Sequence, residues 1–330
     1  MTEITPGIHW LKLPISMDDS SLTHINVYLI RGDYGYLLVD AGWNTDSSFA
    51  TLHNYLVKND IGFEDIGQIF ITHAHPDHYG MAGRISRLSG AGIAMHPMEQ
   101  ALIEPRYVHM DELLNKTDQM LTANGLPHDE MVLLRDATKG LEQYISVTQP
   151  ERLLREGDTV TTGEFTFQVI WTPGHSSGHL CLYEPSKKIL VSGDHILPTI
   201  TPNVSVNPQS IENPLGRYID SLAAIRKLDI DLVLPGHDQP FKEVKPRIDA
   251  IIQHHDWRNA EILASMNEGP ITAYQAARNI SWGKNSRFVE LPYFHQRMAV
   301  FETLAHLDMM AGNGKLDRYT RQGLIYYRHS

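Results

Sequence analysis

The sequence predicts an α/β fold, and three observations carry that expectation. Short β-branched and aromatic runs recur between segments whose apolar residues have helical spacing. Several of these runs end in a Thr, Pro or Gly turn that delivers a histidine or an aspartate. Beyond residue 244 the strand-like runs give way to helical spacing and the charge balance changes sign.

In chain order, strand-like runs open at 8–11, 26–30 and 36–39, with Gly32-Asp33-Tyr34-Gly35 as the turn joining the last two. Residues 47–58 have helical spacing, and Gln68-Ile69-Phe70-Ile71 reads as a buried strand. A helix is predicted over 79–89 and a strand over 93–95. From 97 to 145, Leu, Met, Glu and Asp recur at helical intervals with a break near Gly125-Leu126-Pro127, which suggests helices inserted between strands. Strands return at 159–160, 165–171, 180–183, 189–192 and 232–234, closing the α/β domain near Glu243. The expected division is therefore 1–244 and 245–330. The second part reads as helices over 248–266, 273–280 and 297–311, a turn at Gly312-Asn313-Gly314-Lys315 and a strand at 324–327, an order that suggests a winged-helix-like appendage.

Composition narrows the function classes. A hydrophobic fraction of 42% supports a sizeable core, and a net charge of −11 argues against a polyanion-binding body. The tail from 245 carries +3, and the rest −14. A single cysteine, Cys181, excludes an internal disulfide; its apolar neighbours mark it as a buried small hydrophobe. The amino terminus lacks a basic segment followed by an apolar one, and no apolar stretch reaches membrane-spanning length, so a soluble, cytoplasmic protein is expected.

The richest chemistry lies in Thr72-His73-Ala74-His75-Pro76-Asp77-His78, at the carboxyl end of a strand that Pro76 cannot continue. Imidazoles suit zinc, iron, copper and nickel, and carboxylates widen the choice to harder ions. In extended backbone His73 and His75 project to one side and can share an ion. Asp77 and His78, beyond the turn, can reach a second. His175, in Thr172-Pro173-Gly174-His175-Ser176-Ser177-Gly178-His179, also follows a strand and completes a three-histidine set. His179 is expected to support or pack. Asp194, in Ser192-Gly193-Asp194-His195, is the candidate bridging carboxylate, and His195 should point elsewhere. His237, in Leu234-Pro235-Gly236-His237, can join Asp77 and His78.

Taken in order, His73-x-His75-x-Asp77-His78, His175, Asp194 and His237 resemble the ligand series of the metallo-β-lactamase superfamily of binuclear hydrolases. The stretches 172–179 and 235–237, with His24-Ile25-Asn26-Val27-Tyr28-Leu29 and Val39-Asp40-Ala41-Gly42, resemble its glyoxalase II-like branch. The resemblance covers about residues 8–240 and implies an αββα sandwich with the site at one edge of the two sheets. It implies that His73, His75 and His175 hold one metal, that Asp77, His78 and His237 hold the other, and that Asp194 bridges them. It also implies that Asp40 orients a ligand histidine. The tail is similar to a winged-helix-like segment attached to some members. The set departs from the cysteine-ligand class of lactamases, because an aspartate occupies the bridging position and Cys181 lies elsewhere.

The expected activity is binuclear metal-dependent hydrolysis of a thioester, ester or lactone. Two divalent ions, zinc first and iron or manganese as alternatives, acidify the attacking water, and Asp77 or Asp194 relays the proton. Residues 97–145 and 196–217 should wall a pocket for a small acyl substrate, with Tyr107, Asn203, Arg217 and Tyr218 as candidate contacts. No G-x-S-x-G elbow supports serine catalysis. The rival reading is an endoribonuclease or phosphodiesterase whose basic tail holds nucleic acid. The tail disperses its basic residues and is rich in Trp and Phe, which favours a lid or homodimer element over a nucleic-acid contact.

Overall fold

The computed structural model describes residues 2–15, 22–136, 140–283 and 286–330. Two sheets form its centre. The first runs β1 (Thr2–Thr5), β2 (Ile8–Pro14), β3 (His24–Gly32), β4 (Gly35–Val39), β5 (Ile66–Phe70), β6 (Gly92–Met95) and β7 (Arg152–Leu153) in sequential order. Its first four strands are antiparallel and its last four parallel. The second contains β8 (Thr159–Thr162), β9 (Phe165–Trp171), β10 (Leu180–Glu184), β11 (Ile189–Gly193) and β12 (Leu232–Pro235). Here β12 pairs parallel to β11, while the other pairings are antiparallel.

Alternation along the strands builds the layers. Leu180 and Leu182 of β10 face the first sheet and pack with Tyr28, Val39 and Phe70, whereas Cys181 and Tyr183 face the opposite way. This is the period-2 pattern of a strand buried on both faces. Helices α1 (Asp46–Lys58), α2 (Pro76–Tyr79) and α3 (Ala82–Ser89) belong to the first sheet's side, where Leu52, Leu56 and Ile85 meet Ile25, Val27 and Leu29. Outside the second sheet lie α7 (Pro214–Ile225) and α8 (Val244–Ala264), whose Leu222, Ile248 and Ile251 pack on Tyr183, Leu190 and Val233. The result is the αββα sandwich. Burial pushes the Cys181 thiol up to about 12, so it acts as an inert core group.

Two expectations need correction. The helix predicted from 79 begins earlier: Pro76 opens the short α2 with His75 as its cap, and a separate α3 starts at Ala82. Proline suits the first helical position because its missing N–H would have no partner there. Asp77 and His78 therefore sit on a helical turn. The division at 244/245 also does not match the packing, because α8 buries Val244, Ile248 and Ile251 against the second sheet.

Between β6 and β7 come α4 (Pro97–Tyr107), α5 (Met110–Ala123) and α6 (His128–Asp136), and after α8 come α9 (Ala273–Asn279), α10 (Tyr293–Gly312), β13 (Leu316–Arg321) and β14 (Leu324–His329). Leu121, Leu126, Met131 and Leu134 share one apolar core with Ile262, Tyr274, Phe288, Leu304 and Tyr327. The inserted helices and the chain's last helices thus form a single helical unit. Its hairpin is tied down by Ile271–Tyr327 backbone bonds and by the Tyr327 hydroxyl, which donates to Asp308 at 2.7 Å. Among the described residues, no helix is long and apolar enough to cross a membrane.

Candidate metal centre

Strands β9, β11 and β12 run in one direction, which puts their carboxyl ends at one edge of the second sheet. The Leu180 N–H donates to the Thr72 carbonyl at 3.0 Å, which brings the end of β5 to that edge. His73 and His75 follow β5, His175 follows β9, Asp194 follows β11 and His237 follows β12; α2 adds Asp77 and His78. All seven sequence-predicted donors meet there. His175 Nε2 lies 3.2 Å from His73 Nε2 and 3.1 Å from His75 Nδ1, which are 2.8 Å apart. His237 Nε2 is 3.2 Å from Asp77 Oδ2 and 3.4 Å from Asp194 Oδ2, and His78 Nε2 is 3.4 Å from Asp194 Oδ1. Three groups have ligand atoms within 4.8 Å of one another: His73/His75/His175, His73/His78/Asp194 and Asp77/His78/His237.

The far side of each ring decides what the near side offers. His175 Nδ1 donates to the Asn203 carbonyl at 2.8 Å, His237 Nδ1 to the His24 carbonyl at 2.9 Å, and His78 Nδ1 to Asp40 Oδ2 at 2.7 Å. Each outer nitrogen carries a proton, so each inner Nε2 of the neutral ring points a lone pair at other lone pairs and at carboxylates. His78 Nε2, His237 Nε2 and Asp194 Oδ1 are buried without a hydrogen-bond partner. Such an arrangement needs positive charge between its members. Divalent cations held by nitrogen and carboxylate oxygen supply it, and the residues fit them.

Protons answer the same demand. Burial works against a charged His237, but Asp194 and Asp77 raise it to about 10. Burial also opposes charge on His78, yet Asp194, Asp40 and Asp77 lift it well above the usual imidazole range. For Asp194, burial is outweighed by His237 and His78, which hold its carboxyl well below the ordinary value. His73 and His75 are pushed well down, by burial first and then by the neighbouring imidazoles.

Asp40 does orient a donor. It adopts a left-handed φ of 59°, tolerable for aspartate, and its side chain accepts from His78 and from Thr72 N–H at 2.8 Å. His179 supports the centre: its Nδ1 contacts Thr172 Oγ1 at 2.8 Å, and its Nε2 accepts the Asp194 N–H at 3.2 Å. His195 turns away, edge-on to Tyr218.

The four expected substrate contacts are placed less uniformly. Tyr218 is fully buried and donates its hydroxyl to the His195 carbonyl at 2.8 Å. Tyr107 is buried and donates to the Ala74 carbonyl. Both hydroxyls are committed to backbone, so these rings hold the walls and do not present a substrate surface. Asn203 is half-buried, and its Nδ2 donates to Glu302 Oε2 at 2.7 Å. Arg217 is exposed on α7. The sequence reading missed Glu302: nothing local links α10 to the carbonyl partner of His175.

Comparison with known proteins agrees with this geometry. The profile of the metallo-beta-lactamase superfamily matches residues 21–237. A probable metallo-hydrolase of Bacillus subtilis is 24% identical over 92% of this chain and 92% of its own. The human protein named acyl-coenzyme A thioesterase MBLAC2 is 26% identical over 71% of this chain and 79% of its own. Among solved structures, a metallo-beta-lactamase family protein from Thermus thermophilus superposes with a TM-score of 0.83 at 26% identity, covering 99% of this chain and 100% of the other. A beta-lactamase domain protein from Burkholderia ambifaria gives 0.81 at 28% identity, covering 100% and 94%. With the fold, the converging donors and the profile match in agreement, the chain belongs to the metallo-β-lactamase superfamily and is a metal-binding hydrolase.

Proposed function

We propose that this protein is a binuclear metal-dependent hydrolase of acyl thioesters, with related esters and lactones as secondary substrates. One observation carries the binuclear reading: the His73/His75/His175 group and the Asp77/His78/His237 group converge on the two oxygens of Asp194. Zinc is the ion proposed, from the nitrogen-rich donor set. When bound, such a pair lowers the pKa of water and polarises a carbonyl.

The residues divide the remaining work. Asp194 spans the two groups and fixes their separation. Asp77 keeps 18% of its side chain exposed against 10% for Asp194, so it is the carboxylate placed to pass a proton to the leaving group. Asn203 and Asp40 hold His175 and His78 in the tautomer that turns a lone pair inward. The thioester preference draws support from the acyl-coenzyme A thioesterase relatives. Packing speaks against the nucleic-acid reading: in the basic tail, Arg318 faces Asp308 at 3.5 Å and Arg328 pairs with Asp317 at 3.0 Å.

The test combines elemental analysis of protein purified without chelator with a panel of acyl-coenzyme A, aryl ester, lactone, phosphodiester and RNA substrates. Two metal equivalents and thioester turnover that chelation removes and zinc restores are expected. One equivalent, or cleavage confined to phosphodiesters, would overturn the proposal.

A further inference from the structure

One fully buried carboxylate near the centre faces neither the donor cluster nor a cation. Glu99 lies in the first turn of α4 and takes part in none of the ion pairs among the described residues. Burying an ionised carboxylate is costly unless donors replace its water. Three do. Its Oε2 accepts the Ala74 N–H at 2.7 Å; its Oε1 accepts the Gly178 N–H at 2.7 Å and the Ser176 hydroxyl at 2.5 Å.

Where those donors sit gives the contact its meaning. Ala74 separates His73 from His75. Ser176 follows His175 directly, and Gly178 lies two residues further on. A single side chain therefore ties the turn that carries two of the histidines to the turn that carries the third. The same helix also grips the other face of the Ala74 unit, because Tyr107, two turns further along α4, donates to the Ala74 carbonyl. Glycine at 178 is explained by this approach. A Cβ there would lie 2.9 Å from the Glu99 backbone nitrogen, 3.0 Å from its Cγ and 2.7 Å from His96 Nδ1. Ser176 and Gly178, parts of a motif that the donor set alone leaves unexplained, exist in this reading to receive Glu99.

We infer that Glu99 is the positioning residue of the three-histidine site, setting the distance and angle between the His73/His75 turn and the His175 turn. The inference rests on the proposed reading that these histidines hold a divalent cation. It makes no claim on Asp77, His78 or His237, none of whose supports involves Glu99.

The test uses the full chain, stripped of metal, as wild type and as Glu99→Gln, Glu99→Ala and Ser176→Ala. Each is titrated with cobalt(II), read by its visible absorption, and then with zinc in competition. Thermal midpoints and histidine ring-nitrogen NMR signals of the metal-free proteins are recorded in parallel. In Glu99→Gln the amide NH2 confronts the Ala74 N–H. One of two equivalents should weaken about 10–100-fold with a changed cobalt spectrum, and the other should stay within about threefold. In the metal-free protein, the His75 and His175 signals should shift and those of His237 should not. Ser176→Ala keeps both backbone bonds and should weaken the same equivalent by less; it decides the matter if the Glu99 variants fail to fold. Both equivalents weakening together in step with a fall in thermal midpoint, or none changing, would overturn the inference. A wild type that takes up one equivalent or none would overturn the binuclear reading instead, and the metal-free NMR comparison would still decide the role of Glu99.

Discussion

The two halves of the donor cluster are anchored to different parts of the molecule. On one side, His78 is held by Asp40 at the end of β4, and His237 by the His24 carbonyl at the start of β3. Asn26 and Tyr28 of β3 reinforce that side by donating to the Pro235 carbonyl at 2.9 and 2.7 Å. On the other side, His175 is held through Asn203, which is held in turn by Glu302 on α10. The first half is fastened to strands in the central core. In the second, His175 leans on the helical unit built from both the insertion and the end of the chain, while His73 reaches the core through Thr72, whose hydroxyl lies 3.0 Å from His73 Nδ1 and 3.0 Å from Asp40. The two donor groups thus rest on supports of different kinds, and local opening starts where supports are few and peripheral.

Removing the shared element should erase the difference. Asp194→Ala is expected to lose about 10³-fold or more in hydrolysis, because it strips the carboxylate that both His175 and His237 approach, at 3.7 and 3.4 Å. Its circular dichroism should stay near wild type, since the donors lie on turns outside the apolar clusters. Retained activity with unchanged metal content would show that the bridge lies elsewhere.

Asp40→Asn should expose the difference. Asparagine tolerates the left-handed backbone at this position, so the loss falls on the hydrogen bonds to His78 and Thr72. Affinity of the Asp77/His78/His237 equivalent should fall about 10–100-fold in a competition titration, and the other equivalent by less, because Asp40 reaches His73 only through Thr72. Glu302→Ala attacks the other half from a distance. Loss of its bond to Asn203 should weaken the three-histidine equivalent by about three- to tenfold, the scale of one hydrogen bond. Glu302→Gln, which can still accept from Asn203 Nδ2, should recover most of it. Equal losses in the Ala and Gln variants would mean that the charge, not the bond, matters.

Acid should separate the halves more gently. His255 and His306 meet at 3.4 Å in the interior where α8 and α10 pack. Burial, then His254 and Arg258, lowers His255 to about 3; burial, then His255 and Arg258, pushes His306 well below the ordinary value. Unfolded histidine titrates near ~6.5. Between that pH and ~3 the unfolded chain binds more protons, so stability is full above ~6.5 and falls as pH drops, by about 1.4 kcal/mol per unit and per histidine at the steepest. Thermal unfolding from pH 7.5 to 5 should show this slope. His306→Gln, compared with wild type so that the donor cluster's own titration cancels, should flatten it; an unchanged slope would remove the helical unit from the acid response.

The same contrast governs what the sequence could reveal. Each of the seven donors lies shortly after a strand whose alternation or β-branched run is visible locally, and five of them, His75, Asp77, His175, Asp194 and His237, lie beside a Pro or Gly that forces the turn. Strand, turn and ligand all fall within about ten residues. Asp40 is legible for the same reason. Glu302 and Asn203 are 99 positions apart, and Glu99 acts on residues 25 and 79 positions away. No periodicity encodes such pairs. Tyr107 and Tyr218 were expected as substrate contacts because they lie in or beside the segments that should wall the pocket, but each hydroxyl found a carbonyl and the rings joined the walls. The 244/245 boundary failed because a change in composition marks a change of secondary structure, whereas a domain boundary depends on which apolar faces meet.

The shared core of the helical unit also sets a timetable for synthesis. Residues 121–134 wait for partners between 262 and 327. At ~5–20 residues per second, about 6–26 s pass while the ribosome adds the intervening ~130 residues. Throughout that interval Leu121, Met131 and Leu134 lack the partners that complete their core. The strand-anchored half of the centre has all its supports once His237 is made; the other half waits for Glu302. Order of translation therefore becomes order of assembly, with the core-anchored donor group complete first and the three-histidine group last.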